Sequence, residues 1–276
     1  MRSTGLATQG QGDSVRITNP GGKGRFVFTC DHASNMLPPE FGTLGLPEAE
    51  LSRHIAWDPG ALPVARRLAE MLDAVLVETC VSRLVLDCNR PLDAPDLIPS
   101  VSETTVIPGN ADLSEVEREA RIARCWRPFH DAVDSVVVRR LAAGQETWIV
   151  SVHSFTPVYK GVARPWQIGI IHDEDARLAA PLIAALKAGG DLTVGVNEPY
   201  SPADRVYFTL EKHARPRGLP CAMLEIRNDE IADEASQEKW AALLAQTLGA
   251  VQLVGDAASS PALPAGSGAL PTHSPR

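Results

Sequence analysis

Short β-branched runs alternate along this chain with longer segments of helical period, and that alternation restricts it to a sheet covered by helices. The runs expected as strands are 26–29, 75–78, 84–88, 147–152, 167–171, 193–196 and 222–226. Their Val, Ile and Leu content suits strands buried on both faces. The helical segments are 47–55, 60–72, 114–142, 174–188 and 235–248. Ser114 with Glu117 makes a capping-box start, and Pro128 is expected to bend or break the helix that follows. The expected fold class is α/β: a three-layer α/β/α sandwich on a mostly parallel or mixed sheet. In such sheets ligands gather beyond the carboxyl ends of the strands.

The chain of 276 residues is long enough to bury one large core without disulfide or metal staples. A single domain over 21–254 is expected, between a polar, Gly-rich disordered segment, 1–20, and a disordered Ala/Pro/Ser/Gly-rich tail, 255–276. With 34 Asp+Glu against 26 Lys+Arg there is no broad counter-charge for phosphates, so a nucleic-acid partner is not expected. The first residues lack the apolar core of a secretory signal. No stretch reaches the roughly 18 uninterrupted apolar residues of a membrane span, and a cytoplasmic protein is expected. Cys30, Cys80, Cys88, Cys125 and Cys221 are an odd, scattered set without a CxxC pair, best read as reduced thiols.

Chemistry concentrates where the apolar runs stop. Their ends read Cys30-Asp31-His32-Ala33-Ser34-Asn35, Asp87-Cys88-Asn89-Arg90-Pro91, Ser151-Val152-His153-Ser154-Phe155 and Leu224-Glu225-Ile226-Arg227-Asn228-Asp229. Charge abutting buried strands must pair with other charge or meet an ion or ligand. His32 and His153 are borderline nitrogen donors suited to Zn²⁺, although other divalent ions accept the same set. The third ligand is expected from a carboxylate. Asp58, before a Pro-Gly helix start, is preferred, and its competing role is that of a helix N-cap or turn residue. Asp31 is the rival, and could instead hydrogen-bond a liganding histidine.

Glu225, at the end of an apolar strand, is the candidate general acid and base, since burial raises a carboxyl pKa; an ion pair with Arg227 is the alternative. Arg83, Arg90 and Arg227 flank the same strand ends, where a guanidinium fork is the natural partner of a substrate carboxylate, or of an acidic neighbour. His54 and His130 fall in helical patterns as surface or packing residues. His172 reads as a helix start, and His213 lies in a basic loop that could cover a site. Ser34 and Ser154 lack a GxSxG elbow, which disfavours a serine hydrolase, and neither a P-loop nor a GxGxxG fingerprint supports nucleotide chemistry.

The segments VFTCDHASNMLPPEFGTLGLPEAELSRHIAWDPGA, VSRLVLDCNRP, SVHSFTP and MLEIRND, in this order, resemble the N-formylglutamate amidohydrolase family from about Phe26 to Leu248. The resemblance implies a phosphorylase/hydrolase-like core related to the zinc carboxypeptidases and zinc cell-wall amidases. Carried over residue by residue, it implies His32 and His153 as metal ligands, Asn89 with Arg90 as receivers of a substrate carboxylate, and Glu225 as the base. The carboxypeptidase glutamate three residues after the first histidine is Asn35 here, which implies a carboxylate ligand from elsewhere and supports Asp58. The Cys-Asn-Arg-Pro and His-Ser-Phe-Thr-Pro versions resemble a branch named after the formylglutamate enzyme more than the dedicated histidine-degradation deformylase.

The implied activity is metal-dependent hydrolysis of a small anionic N-acyl amino acid, in the simplest case N-formyl-L-glutamate to formate and L-glutamate. Zn²⁺ would sit on His32, Asp58 and His153, with Glu225 catalytic and Asn89, Arg90, Arg83, Arg227, Ser154 and His213 around the substrate. A zinc amidohydrolase for another N-acyl amino acid or small peptide, or a non-catalytic carboxylate-binding relative, are the alternatives.

Overall fold

The computed structural model describes residues 8–11 and 14–253. An eight-stranded mixed sheet runs through it, built from β1 (Thr8–Gln11), β2 (Val15–Thr18), β3 (Phe26–Cys30), β4 (Val75–Thr79), β7 (Trp148–Phe155), β10 (Ile168–Ile171), β11 (Val194–Val196) and β12 (Cys221–Arg227) in the order β1-β2-β4-β3-β7-β12-β10-β11. Strands β4, β3, β7 and β12 are mutually parallel neighbours at its centre, and β2 and β10 pair antiparallel on either side of them. Two small hairpins, β5 (Val101–Ser102) with β6 (Thr105–Val106) and β8 (Val158–Tyr159) with β9 (Val162–Ala163), stand apart from the sheet.

Side chains alternate across a strand, so the central strands feed two cores. Phe26, Phe28, Trp148, Val150, Ala222 and Leu224 face α2 (Ala61–Met71), α5 (Ala179–Ala188) and α7 (Glu234–Ala250). Val27, Ile149, Cys221 and Met223 face α4 (Arg127–Ala142), α6 (Phe208–His213) and the long connection after β4. The remaining helices are α1 (Glu48–Leu51) and α3 (Glu115–Arg121). This is the three-layer α/β/α arrangement expected from the alternation. Helix α2 shows why: Ala61, Val64, Ala65, Leu68 and Ala69 are fully buried at the spacing of one helical face. Truncating a side chain such as Leu68 to Ala would cost about 2–5 kcal/mol.

Several elements depart from the sequence reading. Residues 84–88, apolar apart from Asp87, form no strand. Their carbonyls are taken by side chains instead: Asn110 donates to Leu84, Arg121 to Val85 and His130 to Cys88 at 2.8, 3.1 and 3.0 Å. A buried loop is tolerated when its backbone groups are satisfied in this way. The segment 47–55 is helical only over Glu48–Leu51, and the 174–188 helix begins at Ala179. Helix α6 was not anticipated.

Pro128 does not break its helix, because the π-helical turn Ile122–Trp126 precedes it and Pro128 occupies the first turn of α4, where a missing N–H is harmless. The capping box of Ser114 and Glu117 forms as expected. The expectation of disorder through residue 20 fails for Val15–Thr18, which pairs with β4 and buries Val15 and Ile17. The expected 255–276 tail lies outside the described residues. No helix among the described residues is long and apolar enough to cross a membrane.

One glycine links fold to site. Gly60 caps α2 at φ +81°, directly after Asp58 and Pro59, and a Cβ there would lie 2.4 Å from the Ile231 carbonyl oxygen. Both the left-handed backbone and the close approach exclude a side chain. Gly60→Ala is expected to lower unfolding free energy by more than about 1 kcal/mol, read as a reduced urea midpoint with an unchanged slope.

Candidate metal centre and active-site cavity

Three parallel strands deliver the site. On the face that meets α4 and α6, Thr29 of β3 and Ser151 of β7 share a buried hydroxyl hydrogen bond of 2.7 Å. One pleat further on come Asp31, His153 and Glu225, the last two directly paired in register. All three are buried, so the period of two places a carboxylate, an imidazole and a carboxyl side by side at the carboxyl edge. His153 and Glu225 are therefore inside strands, since β7 and β12 run past them to Phe155 and Arg227.

Asp58 arrives from another part of the chain. Its backbone N–H donates to the His32 carbonyl at 2.9 Å, and the Ala56 carbonyl just before it accepts from the Ser82 hydroxyl at 2.8 Å. Asp58 Oδ2 then lies 2.8 Å from His153 Nδ1 and 3.3 Å from His32 Nδ1, with the Ser154 N–H at 3.4 Å. Ligand atoms of His32, Asp58 and His153 fall within 4.8 Å of one another, and all three residues are buried.

The outer ring nitrogens face acids. His32 Nε2 is 2.8 Å from Asp87 Oδ1, and Asp87 is in turn held by Arg83 at 2.6 Å. His153 Nε2 is 3.7 Å from Asp31 Oδ2, too long for a hydrogen bond, and Asp31 accepts from the Thr209 hydroxyl at 2.7 Å. An imidazole whose Nε2–H is directed at a carboxylate presents a lone pair at Nδ1, the tautomer a metal ligand needs. Both lone pairs then converge on a carboxylate oxygen. Such an arrangement repels unless positive charge lies between, and two imidazoles with one carboxylate are the donor set of a catalytic zinc site, which keeps one position open. The residues fit a divalent cation. Asp31, the rival ligand, stands behind His153.

Without the cation, protons take its place. Burial alone would raise Asp58, but the charge of His32 and the hydrogen bond from His153 hold it well below the usual carboxylate range. Burial and Arg83 push His32 down, yet Asp87 and Asp58 leave it raised, and His153 is raised well above its ordinary value by Asp31 and Asp58 against the same burial. Burial pushes Glu225 up to about 7, opposed by His153 and assisted by Asp58. Its Oε2 has no hydrogen-bond partner.

These groups line a cavity of about 260 Å³, the size of a small amino-acid derivative. Arg83, Asn89, Arg90, Ser154 and Glu225 line it together with His32, Asp58 and His153. Several of their donors are already engaged. Asn89 donates to the Val206 carbonyl and accepts from the Thr209 N–H at 3.0 Å. Arg90 is bound to Asp96 at 2.7 Å and Ser154 to the Pro59 carbonyl at 2.8 Å.

Two expected residues lie elsewhere. Arg227 binds Asp229 at 2.7 Å and Glu230 at 2.9 Å, outside the cavity lining, so its fork is consumed by neighbouring acids rather than by Glu225. His213 ends α6, buried against His130 at 2.9 Å, rather than in an exposed loop over the cavity. Conversely His54, read as a surface or packing residue, lines the cavity, as do Tyr159 and Tyr200. Tyr200 lies in the Pro-flanked loop after β11, with no apolar run beside it to draw attention. Asp87 was visible as a strand-end acid, but its role behind His32 needed the fold.

The family profile of N-formylglutamate amidohydrolase matches residues 24–232. The crystal structure of gene product Atu2144 from Agrobacterium tumefaciens is similar at 49% identity and a TM-score of 0.85, covering 86% of this chain and 94% of that one. The N-formylglutamate amidohydrolase from Ralstonia eutropha JMP134 shares the fold at 17% identity and a TM-score of 0.61, covering 86% and 96%. No curated protein matches.

The raised Glu225 carboxyl has a consequence for stability. Its folded pKa of about 7 exceeds the ordinary 4.5, so the folded state favours the neutral form and loses stability as pH rises through that interval. In chelator-treated protein, Glu225→Gln is expected to match the parent's melting temperature near pH 4.5. At pH 8 it should exceed the parent by on the order of 1 kcal/mol or more; a difference independent of pH would contradict the assignment.

Proposed function

Because the chain belongs to the N-formylglutamate amidohydrolase family, we propose that it is a metal-dependent amidohydrolase of N-acyl amino acids, with N-formyl-L-glutamate as substrate and formate and L-glutamate as products. The observation that carries this reading is the convergence of His32 Nδ1 and His153 Nδ1 on Asp58 Oδ2 beside a buried, unpartnered Glu225 oxygen.

His32, Asp58 and His153 would hold Zn²⁺ or another divalent ion, with Asp87 hydrogen-bonded behind the His32 ring and the Asp31 charge 3.7 Å behind that of His153. The bound ion supplies Lewis acidity toward the acyl oxygen and the attacking water. Glu225 removes a proton from that water and returns it to the departing amine, so one carboxyl serves as base and then acid. A group raised to about 7 is suited to both steps at neutral pH. The cleaved bond is the amide C–N; the acyl carbon gains the water oxygen and the amine leaves protonated.

Arg83 lines the cavity with a quarter of its side chain exposed and adds positive charge to its wall while its fork holds Asp87 and Asp58. Asn89 and Arg90 shape the wall through the bonds they already make, and Ser154 steadies the turn at Pro59. Free thiols at all five cysteines support a reducing, cytoplasmic setting.

Purified protein assayed for released amine against formyl, acetyl and succinyl amino acids, before and after chelation, tests the reading. The expected result is hydrolysis of N-formyl-L-glutamate, lost with the metal and restored by Zn²⁺. Glu225→Gln should cut turnover on the order of 10²-fold or more with metal content unchanged. Turnover should also fall on acidification as Glu225 takes up its proton, at a pH below the value of about 7 that burial gives this carboxyl in the metal-free site, because a bound cation favours the carboxylate; chelator-resistant activity would overturn the metal assignment.

A further inference from the structure

The cations named from sequence for the substrate carboxylate are matched to acids within the protein: Arg83 to Asp87, Arg90 to Asp96 and Arg227 to Asp229 and Glu230. Arg164 differs. Only 8% exposed, it has no carboxylate within ion-pair distance among the described residues. Its guanidinium carbon lies 4.5 Å from the Tyr159 ring centre, 4.8 Å from Tyr200 and 5.8 Å from Phe155. Aromatic faces partly offset the cost of burying this charge but provide no counter-ion.

The hydrogen bond made by its side chain is Nη1 to the Tyr200 hydroxyl oxygen at 3.1 Å. A guanidinium can only donate, so the phenol accepts there and its own O–H remains free to donate elsewhere. Tyr200 and Tyr159 both line the cavity that holds Arg83 and Glu225. Burial, followed by the nearby Glu225 charge, pushes the phenol up, against the pull of Arg164. Tyr200 therefore keeps the proton it would donate. A half-buried hydroxyl backed by a buried, uncompensated cation is a donor prepared for an anion.

We propose that Tyr200, its hydroxyl set by Arg164, receives a carboxylate of the substrate in this cavity, with Tyr200 touching the ligand and Arg164 acting as the positioning charge behind it. This rests on the amidohydrolase reading for the identity of the substrate but not for the binding of a carboxylate. It identifies the Tyr159–Arg164–Tyr200 wall, rather than Asn89 and Arg90, as the carboxylate subsite.

Two measurements separate the inference from the reading beneath it. In turnover, Tyr200→Phe is expected to raise KM for N-formyl-L-glutamate about tenfold or more, the loss of one hydrogen bond to a charged group, with kcat within about twofold. Arg164→Gln should do the same, and the double variant should be little worse than either single one because both act through one contact. Of N-formyl-L-glutamine and N-formyl-L-isoglutamine, the one lacking the bound carboxylate should be insensitive to Tyr200→Phe.

In equilibrium binding, glutarate should raise the melting temperature of the parent protein, and less so that of Tyr200→Phe, whether or not any acyl substrate is cleaved. Equal glutarate stabilisation of parent and Tyr200→Phe, or none of the parent, would overturn the inference. So would a fall in kcat of equal size on all three substrates, which would place Tyr200 at the reacting bond.

Discussion

Two imidazole nitrogens directed at one carboxylate oxygen set the terms for the rest of this molecule. His32 Nδ1 and His153 Nδ1 meet Asp58 Oδ2 in a buried space, where like lone pairs repel unless a cation or protons intervene. The fold holds that arrangement rigidly. Asp87 and Arg83 lock the first ring, Asp31 and Thr209 stand behind the second, and the Asp58 backbone is tied to the His32 carbonyl. A site prepared at this electrostatic cost is one whose charge is meant to be completed by something bound.

The same burial tunes Glu225. It sits beside His153 across the β7–β12 ladder, so the strand register fixes the separation of this carboxyl and the imidazole. Desolvation raises its carboxyl to about 7, while neighbouring imidazoles restrain the rise. Stability and reactivity are opposed here: the folded protein would be more stable with Glu225 neutral, and the proposed chemistry needs it ionised. Arg164 repeats the pattern at lower intensity, as a buried cation that leaves Tyr200 with a hydroxyl proton to give.

Much of the site was legible because strand-end chemistry is local. His32, His153 and Glu225 each follow or interrupt an apolar run, where charge must pair with other charge or meet a ligand. Asp58 was harder, since an Asp before Pro-Gly is also an ordinary turn residue, and it is indeed the turn into α2 as well as a member of the cluster. Arg227 and His213 were misplaced for an identifiable reason. Proximity to a strand end does not say which acids Arg227 will find, and Asp229 and Glu230 were nearer; the basic segment around His213, read as a loop, is in part a helix that turns this ring onto His130. Tyr200 and Arg164 carried no periodic or motif signal at all.

The amino-acid sequence by itself determined the α/β class, the central strands and the residues at their carboxyl ends, because alternation of apolar periods is written in neighbouring positions. It could not determine that 84–88 would be a loop, since side chains as distant as Asn110, Arg121 and His130 satisfy that backbone. Only the tertiary structure decided which charges are matched internally and which are left facing the cavity. Pairing depends on distances of a few ångströms between residues up to 178 positions apart, as with Asp31 and Thr209, and Coulomb and hydrogen-bond energies are set by that distance, by angle and by local burial, not by separation along the chain.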